Sequence, residues 1–226
     1  MKVTAIILSA GKGKRMNSRI SKQYMLINNK PLLYYTLMAF QNSSVDDIVI
    51  VADENDMIYI QNDIIDKYGI TKVSKVVRGG KERYNSSYNG ILAAENSDYV
   101  LIHDAARPCI TSGKINELID SVETFKACIL GVPVKDTIKI SDNESNVVST
   151  PERNYLWQIQ TPQAFERQGI LDAYNRMFSG CDEPVTDDSM VIERFSDKKV
   201  HILNGEYTNI KVTTPEDMRF VKELIN

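Results

Sequence analysis

The sequence predicts an α/β fold: a mostly parallel β-sheet with helices on both faces and a projecting β-hairpin arm. Three observations carry that expectation. Short β-branched runs alternate with helical patterns along most of the chain. A loop with two glycines and three cations, "SAGKGKRM" (9–16), directly follows the first apolar run. The alternation breaks once, at 137–156, where a strand–turn–strand pattern takes over.

Taken in order, "VTAIIL" (3–8) is the first strand, and residues 31–42 place Leu33, Leu37 and Phe40 on one helical face. "DIVIVA" (47–52) is a strand, 54–68 a helix, "VSKVV" (73–77) a strand and 82–96 a helix. "YVLIH" (99–103), a helix over 112–125 and "ACILGVPV" (127–134) complete the alternation. Then "TIKI" alternates, "SDNESN" turns and "VVST" resumes, which predicts the hairpin. It holds too few large apolar residues for a core of its own, so it is expected to project and pack on another chain. Helices near 163–178 and 187–195, strands at 200–203 and 209–212 and a last helix follow. That helix has a start signal: Thr214 as cap, Pro215 in the first turn and Asp217 three residues after the cap. Ligands of parallel sheets bind beyond the carboxyl ends of the strands. Four loops therefore fall on the ligand edge: "SAGKGKRM", "RGGKERYNSS", "HDAARP" and "VPVKDT".

The 226 residues suffice for a sizeable core, and one domain over 1–226 with an arm at about 137–156 is the simplest organisation. Hydrophobic content of 42% with 25% charged residues is that of a soluble globular protein. The longest uncharged apolar stretch is far too short to cross a membrane, and the amino terminus lacks a signal-peptide layout. Cys109, Cys128 and Cys181 lie far apart, which argues against disulfides or zinc and for a cytoplasmic protein. The net charge of −3 is unevenly spread: residues 1–45 hold seven Lys or Arg and no acid. A basic front on an acidic body suits a small anionic ligand better than a nucleic acid.

In the first loop, no Walker pattern fits, because the residues five positions after Gly11 and Gly13 are Met16 and Ser18. A dinucleotide fingerprint would need glycine where Met16 stands and an acid about twenty positions on, yet none comes before Asp46. What remains is a glycine loop whose amides point at phosphate oxygens, with Lys12, Lys14, Arg15, Arg19 and Lys22 around it. Each neutralised pair near a surface is worth up to about 4 kcal/mol at roughly 4 Å. The plain alternative is a solvated charged loop.

Seven blocks in the same order resemble the 2-C-methyl-D-erythritol 4-phosphate cytidylyltransferases. They are "SAGKGKRM…SKQY" (9–24), "GGKERYNSS" (79–87), "HDAARP" (103–108), "VKDT" (134–137), "ERNYLWQIQTPQAF" (152–165), "VTDDS" (185–189) and "NIKVTTPED" (209–217). The resemblance implies a Rossmann-like nucleotidyltransferase fold and transfer of CMP from CTP to a polyol phosphate in non-mevalonate isoprenoid synthesis. It implies that Arg15 and Lys22 stabilise the transition state at the α-phosphorus, and that Arg153 and Lys211 position the attacking phosphate. By the same resemblance Asp104, Arg107, Thr137, Thr161 and Thr186 contact the polyol phosphate or ribose. Ala10, Gly11, Gly13, Gly80, Ser86 and Ala105 fall on the nucleotide. Lys81 and Ser9 depart from common family residues, small changes where only backbone touches the ligand. Mg²⁺ is expected with CTP, held mostly by phosphate and water. A homodimer through the arm is expected too, carrying Arg153 toward the neighbouring subunit's site. Ribitol 5-phosphate cytidylyltransferase, a non-catalytic CTP-binding protein and, last, a dinucleotide oxidoreductase are the rival readings.

The chemistry fits the residues. A phosphate monoester is already an anionic nucleophile, so no Ser–His or Cys–His dyad is needed, whereas two anions must be brought together by cations. Gly79–Gly80 at a strand end should leave main-chain groups open to read cytosine. Several residues also have bland readings: His103 as a satisfied core histidine, Asp104 paired with Arg107, Thr186 as a cap, Asp187 and Asp188 as helix-start acids. Trp157 and Phe165 read as core or interface. Lys211 is a cation in an otherwise apolar strand.

Overall fold

The computed structural model describes residues 1–11, 21–180 and 185–225. Strand β1 (Val3–Leu8) is followed, after the first loop, by a small ribbon of β2 (Leu26–Ile27) and β3 (Lys30–Pro31) and by helix α1 (Leu32–Gln41). β4 (Asp47–Ala52) leads into a helical segment over 54–68, which contains α2 (Met57–Tyr59) and a π-type stretch at Ile60–Asp66. β5 (Val73–Arg78), α3 (Arg83–Ala93), β6 (Tyr99–Asp104), α4 (Ser112–Phe125) and β7 (Ala127–Pro133) complete the alternation. The hairpin of β8 (Ile140–Ser141) and β9 (Val147–Ser149) comes next. Then follow β10 (Trp157–Glu166), α5 (Arg167–Gly180), α6 (Asp188–Phe195), β11 (His201–Asn204) and α7 (Pro215–Ile225).

The main sheet has seven strands in the order β11-β7-β10-β6-β1-β4-β5. All its pairings are parallel except those of β10, which runs antiparallel to both β6 and β7. Along β1, Val3, Ala5 and Ile7 enter a core cluster under α1, α4 and the 54–68 segment, while Ile6 enters the cluster under α3, α5 and α6. This period-two alternation is what a strand covered on both faces requires. On the second face α3 comes very close to the sheet: a Cβ on Gly90 would lie 2.3 Å from Ile6 Cγ2. The order places β4 and β5 on one side of β1 and β6 on the other. The topological switch, where such sheets bind ligands, thus falls between β1 and β6.

Three expectations need correction. Residues 163–166 are not helical; they end β10, and the helix starts at Arg167. Gln158, Gln160, Pro162 and Gln163 obscure this strand in the sequence. It is stable because it pairs on both sides, with a register shift between Ile159 and Gln163 that accommodates Thr161–Pro162. Residues 209–212 form no strand. Their backbone serves local turns, with the Asn209 and Ile210 amides bonding Glu206 and Thr208, and Val212 donates to the Ala106 carbonyl. Lys211 therefore sits in a loop segment, not in a strand. Thr186 does not cap α6 by its hydroxyl; Asp187 does, accepting from the Met190 amide at 3.0 Å. The start of α7 is as read: Asp217 accepts from the Thr213 and Thr214 amides at 2.7 and 2.8 Å. Phe165 is a core residue and Trp157 is half-buried.

Candidate active site

The loops after β1, β4, β5 and β6 and the segment around Lys211 enclose a cleft of about 1280 Å³. That is larger than a site for one drug-sized molecule, typically about 300–1,000 Å³. Ala10, Gly11, Lys22, Gly80, Ser86, Asp104, Ala105 and Lys211 all line it. Residues more than two hundred positions apart in the chain thus meet at the predicted edge.

Each wall is built by specific contacts. Gln23 is buried and its amide donates to the carbonyls of Ser9 at 2.7 Å and Gly11 at 3.2 Å. In a planar trans peptide the next N–H points opposite to the carbonyl, so the amide of Ala10 faces away from Gln23. Gly79 is glycine for lack of room: a Cβ there would lie 2.4 Å from the Ala10 side chain. Its N–H donates to the Ala52 carbonyl at 2.7 Å, and the Gly80 N–H donates to Ser86 Oγ at 3.0 Å. The pair's N–H groups are therefore engaged, so any main-chain group of the pair that reads a base would be a carbonyl. Ala105 is fixed likewise, its amide donating to the Leu8 carbonyl and its carbonyl accepting from Thr36 Oγ1.

Asp104, at the end of β6, carries the densest electrostatics. Its carboxylate accepts from Arg83 Nε at 3.2 Å and from Lys211 Nζ at 2.6 Å. Burial alone would raise its pKa, but Arg83 and Lys211 outweigh burial and hold the carboxyl well below the usual range. Lys22 Nζ donates to the Val212 carbonyl at 2.9 Å, so both lysines converge on the 211–212 segment.

Behind Asp104 lies a fully satisfied histidine. The Arg107 carbonyl, 3.2 Å from Nε2 of His103, can only accept, so the neutral ring carries its proton on Nε2. Nδ1 then accepts from Thr161 Oγ1 at 3.0 Å, an oxygen that also accepts from the Asp104 amide at 3.1 Å. His103 is wholly buried, and burial pushes its pKa down to about 3. It is the core histidine of the bland reading.

The chain as a whole has counterparts among known proteins. Residues 3–226 match the family model for 2-C-methyl-D-erythritol 4-phosphate cytidylyltransferase. The chain belongs to this cytidylyltransferase family. It is 50% identical over 224 residues to the 2-C-methyl-D-erythritol 4-phosphate cytidylyltransferase of Lachnoclostridium phytofermentans, covering 99% of this chain and 96% of that one. To the enzyme of the same name from Clostridium botulinum strain 657 it is 49% identical over 226 residues, covering 99% and 97%. Among solved structures, the 4-diphosphocytidyl-2C-methyl-D-erythritol synthase of Anaerococcus prevotii superposes with a TM-score of 0.87 at 35% identity, covering 99% and 96%. The mostly parallel sheet is thus that of a cytidylyltransferase.

Within this cytidylyltransferase, the remaining candidates lie elsewhere. Arg107 is engaged with the Asn209 carbonyl at 2.7 Å, and Thr161 is buried behind Asp104. Thr137 and Thr186 are exposed, and Arg153 is exposed with its guanidinium on the Lys135 carbonyl at 3.0 Å. None of these five lines the cleft of the single chain. Gly13 and Arg15 lie outside the described residues. Two residues of the site escaped the sequence reading although both stand in the quoted blocks. Gln23 in "SKQY" holds the carbonyls of Ser9 and Gly11. Arg83 in "GGKERYNSS" opens a helix with a cation, an unfavourable place for one, and that was the available signal.

Proposed function

We propose that the chain transfers the CMP group of CTP to the phosphate of 2-C-methyl-D-erythritol 4-phosphate, releasing pyrophosphate. The observation that carries this reading is the convergence of Ala10, Gly11, Gly80 and Ser86 with Asp104, Lys22 and Lys211 on one cleft at the switch point. An oxygen of the acceptor phosphate attacks the α-phosphorus. A new phosphoanhydride bond forms there, the bond to the β-phosphate oxygen breaks, and pyrophosphate leaves with that electron pair. No residue needs to take a proton from the nucleophile, which agrees with a His103 locked neutral in the core.

The chain's own part is to hold two anions together. Lys22, with Arg15, is assigned to the charge that gathers at the α-phosphorus; Lys211, with Arg153, is assigned to the acceptor phosphate. Lys211 has three ammonium protons, so its bond to Asp104 leaves donors for phosphate. Among the described residues no three His, Cys, Asp or Glu side chains cluster to hold a metal. Asp104 is the acid of the cleft already paired with Arg83 and Lys211, so a Mg²⁺ ion arriving with CTP would be held mostly by triphosphate oxygens and water. Such an ion would supply positive charge against the triphosphate. The hairpin supports a homodimer: Ile140, Val147 and Val148 are 50%, 62% and 65% exposed and await a partner. A dimer would also bring Arg153 to the neighbouring cleft.

Pyrophosphate release with CTP and each polyol phosphate tests the reading. Turnover that strongly prefers 2-C-methyl-D-erythritol 4-phosphate is expected. A preference for ribitol 5-phosphate overturns the acceptor, and CTP binding without turnover on either overturns catalysis.

A further inference from the structure

Arg83 is the first residue of α3, where the helix dipole disfavours a cation. Two carboxylates from other elements compensate. Its Nε donates to Asp104 Oδ1 at 3.2 Å, and its Nη1 lies 2.7 Å from Oδ2 of Asp188, the first residue of α6. Asp188 is wholly buried and accepts a further bond from Tyr174 Oη, on α5, at 2.7 Å. Asp104 in turn holds Lys211 at 2.6 Å. One chain of alternating charge thus runs from α6 through Arg83 and Asp104 to Lys211, and its two cations balance its two anions. The guanidinium reaches both carboxylates because it is a planar fork; an ammonium is a single point of charge.

From this we infer that Arg83 is a positioning residue for the transfer reaction: it shares Asp104 with Lys211, so that Lys211 keeps part of its charge for the acceptor phosphate. Without Arg83, Asp104 faces Lys211 alone and draws the ammonium fully onto itself. The guanidinium also fixes the start of α3, just after Gly80, to the start of α6, just after Thr186. The nucleotide wall and the Thr186 segment are thereby held in register. The inference rests on the acceptor-side role proposed for Lys211.

The test compares the full-length chain with Arg83→Met, Arg83→Met/Asp188→Asn and Arg83→Lys in pyrophosphate-release kinetics and thermal melts. Arg83→Met alone leaves Asp188 charged and unpaired in the core and should melt early. Asp188→Asn removes that charge and keeps an acceptor for Tyr174, so the double variant should melt near the wild type. It should nonetheless show KM for the polyol phosphate raised about tenfold or more, with KM for CTP changed by less than about threefold. Arg83→Lys keeps the charge but loses the fork, and the same split in milder form is expected. A double variant with wild-type acceptor KM, or with both KM values raised alike, overturns the inference, as does an Arg83→Lys enzyme indistinguishable from wild type. A wild-type chain that turns over neither polyol phosphate refutes the function itself, a result visible before any variant is compared.

Discussion

Lowering the pH from 7 to 5 should weaken the fold through His103 specifically. The ring is wholly buried, its Nδ1 filled by the Thr161 proton and its Nε2 proton spent on the Arg107 carbonyl. Its pKa is down to about 3, whereas in the unfolded chain it returns to about 6.5. Between those values the unfolded state binds a proton that the native state refuses, so stability is full above about pH 6.5 and is lost as pH falls. Each pH unit below 6.5 costs about 1.4 kcal/mol, which makes the difference between pH 7 and pH 5 about 2 kcal/mol. His103→Gln supplies an amide with one donor side and one acceptor side that does not titrate. Urea unfolding of both proteins at pH 7 and pH 5 isolates the term, since the carboxylates contribute equally to each. The wild type should lose about 2 kcal/mol more than the variant over this interval. Equal losses would refute the locked neutral ring, and with it the reading of His103 as a core residue.

Gly79→Ala forces a Cβ to within 2.4 Å of the Ala10 side chain. It should raise KM for CTP about tenfold at a stability cost of about 1–3 kcal/mol; unchanged CTP kinetics would show that the first loop is not held by this contact. Thr161→Val strips a partner from both the Asp104 amide and His103 Nδ1, and about 2–4 kcal/mol of stability should go with them; thermal or urea unfolding checks it. If Thr161→Val folds as stably as wild type but loses polyol phosphate affinity, its hydroxyl serves substrate instead. Arg15→Ala and Arg153→Ala subunits, each inactive, should regain partial activity when refolded together. A confirmed mixed dimer without rescue would mean that each site is built from one chain.

The order of the alternating elements was legible because β-branched runs and helical periodicity report burial directly. Val3 to Leu8 and Ser112 to Phe125 appear where the pattern puts them. β10 was not legible because its partners, not its residues, make it a strand: three glutamines and a proline sit among its residues, and β6 and β7 supply the pairing on each side. Lys211 was found as an outlier by composition, yet its setting was not, since Val212's bond to Ala106 joins segments that local pattern cannot connect. Similarly, the glycine pair stands out at a strand end in the sequence, but its close packing, Ala10 against Gly79, is a tertiary fact. Arg83 carried a weak local signal, a cation at a helix start. Only the fold reveals the two acids that answer it.

The bond from Lys22 to the Val212 carbonyl, with Val212 itself anchored to Ala106, has a consequence for biosynthesis. The segment around Lys22 leaves the ribosome well before Val212, so this wall of the cleft cannot be completed until the later segment has emerged. A nascent or prematurely terminated polypeptide therefore lacks the far side of its own cleft. Such fragments should be unable to squander CTP while the cell is still making them.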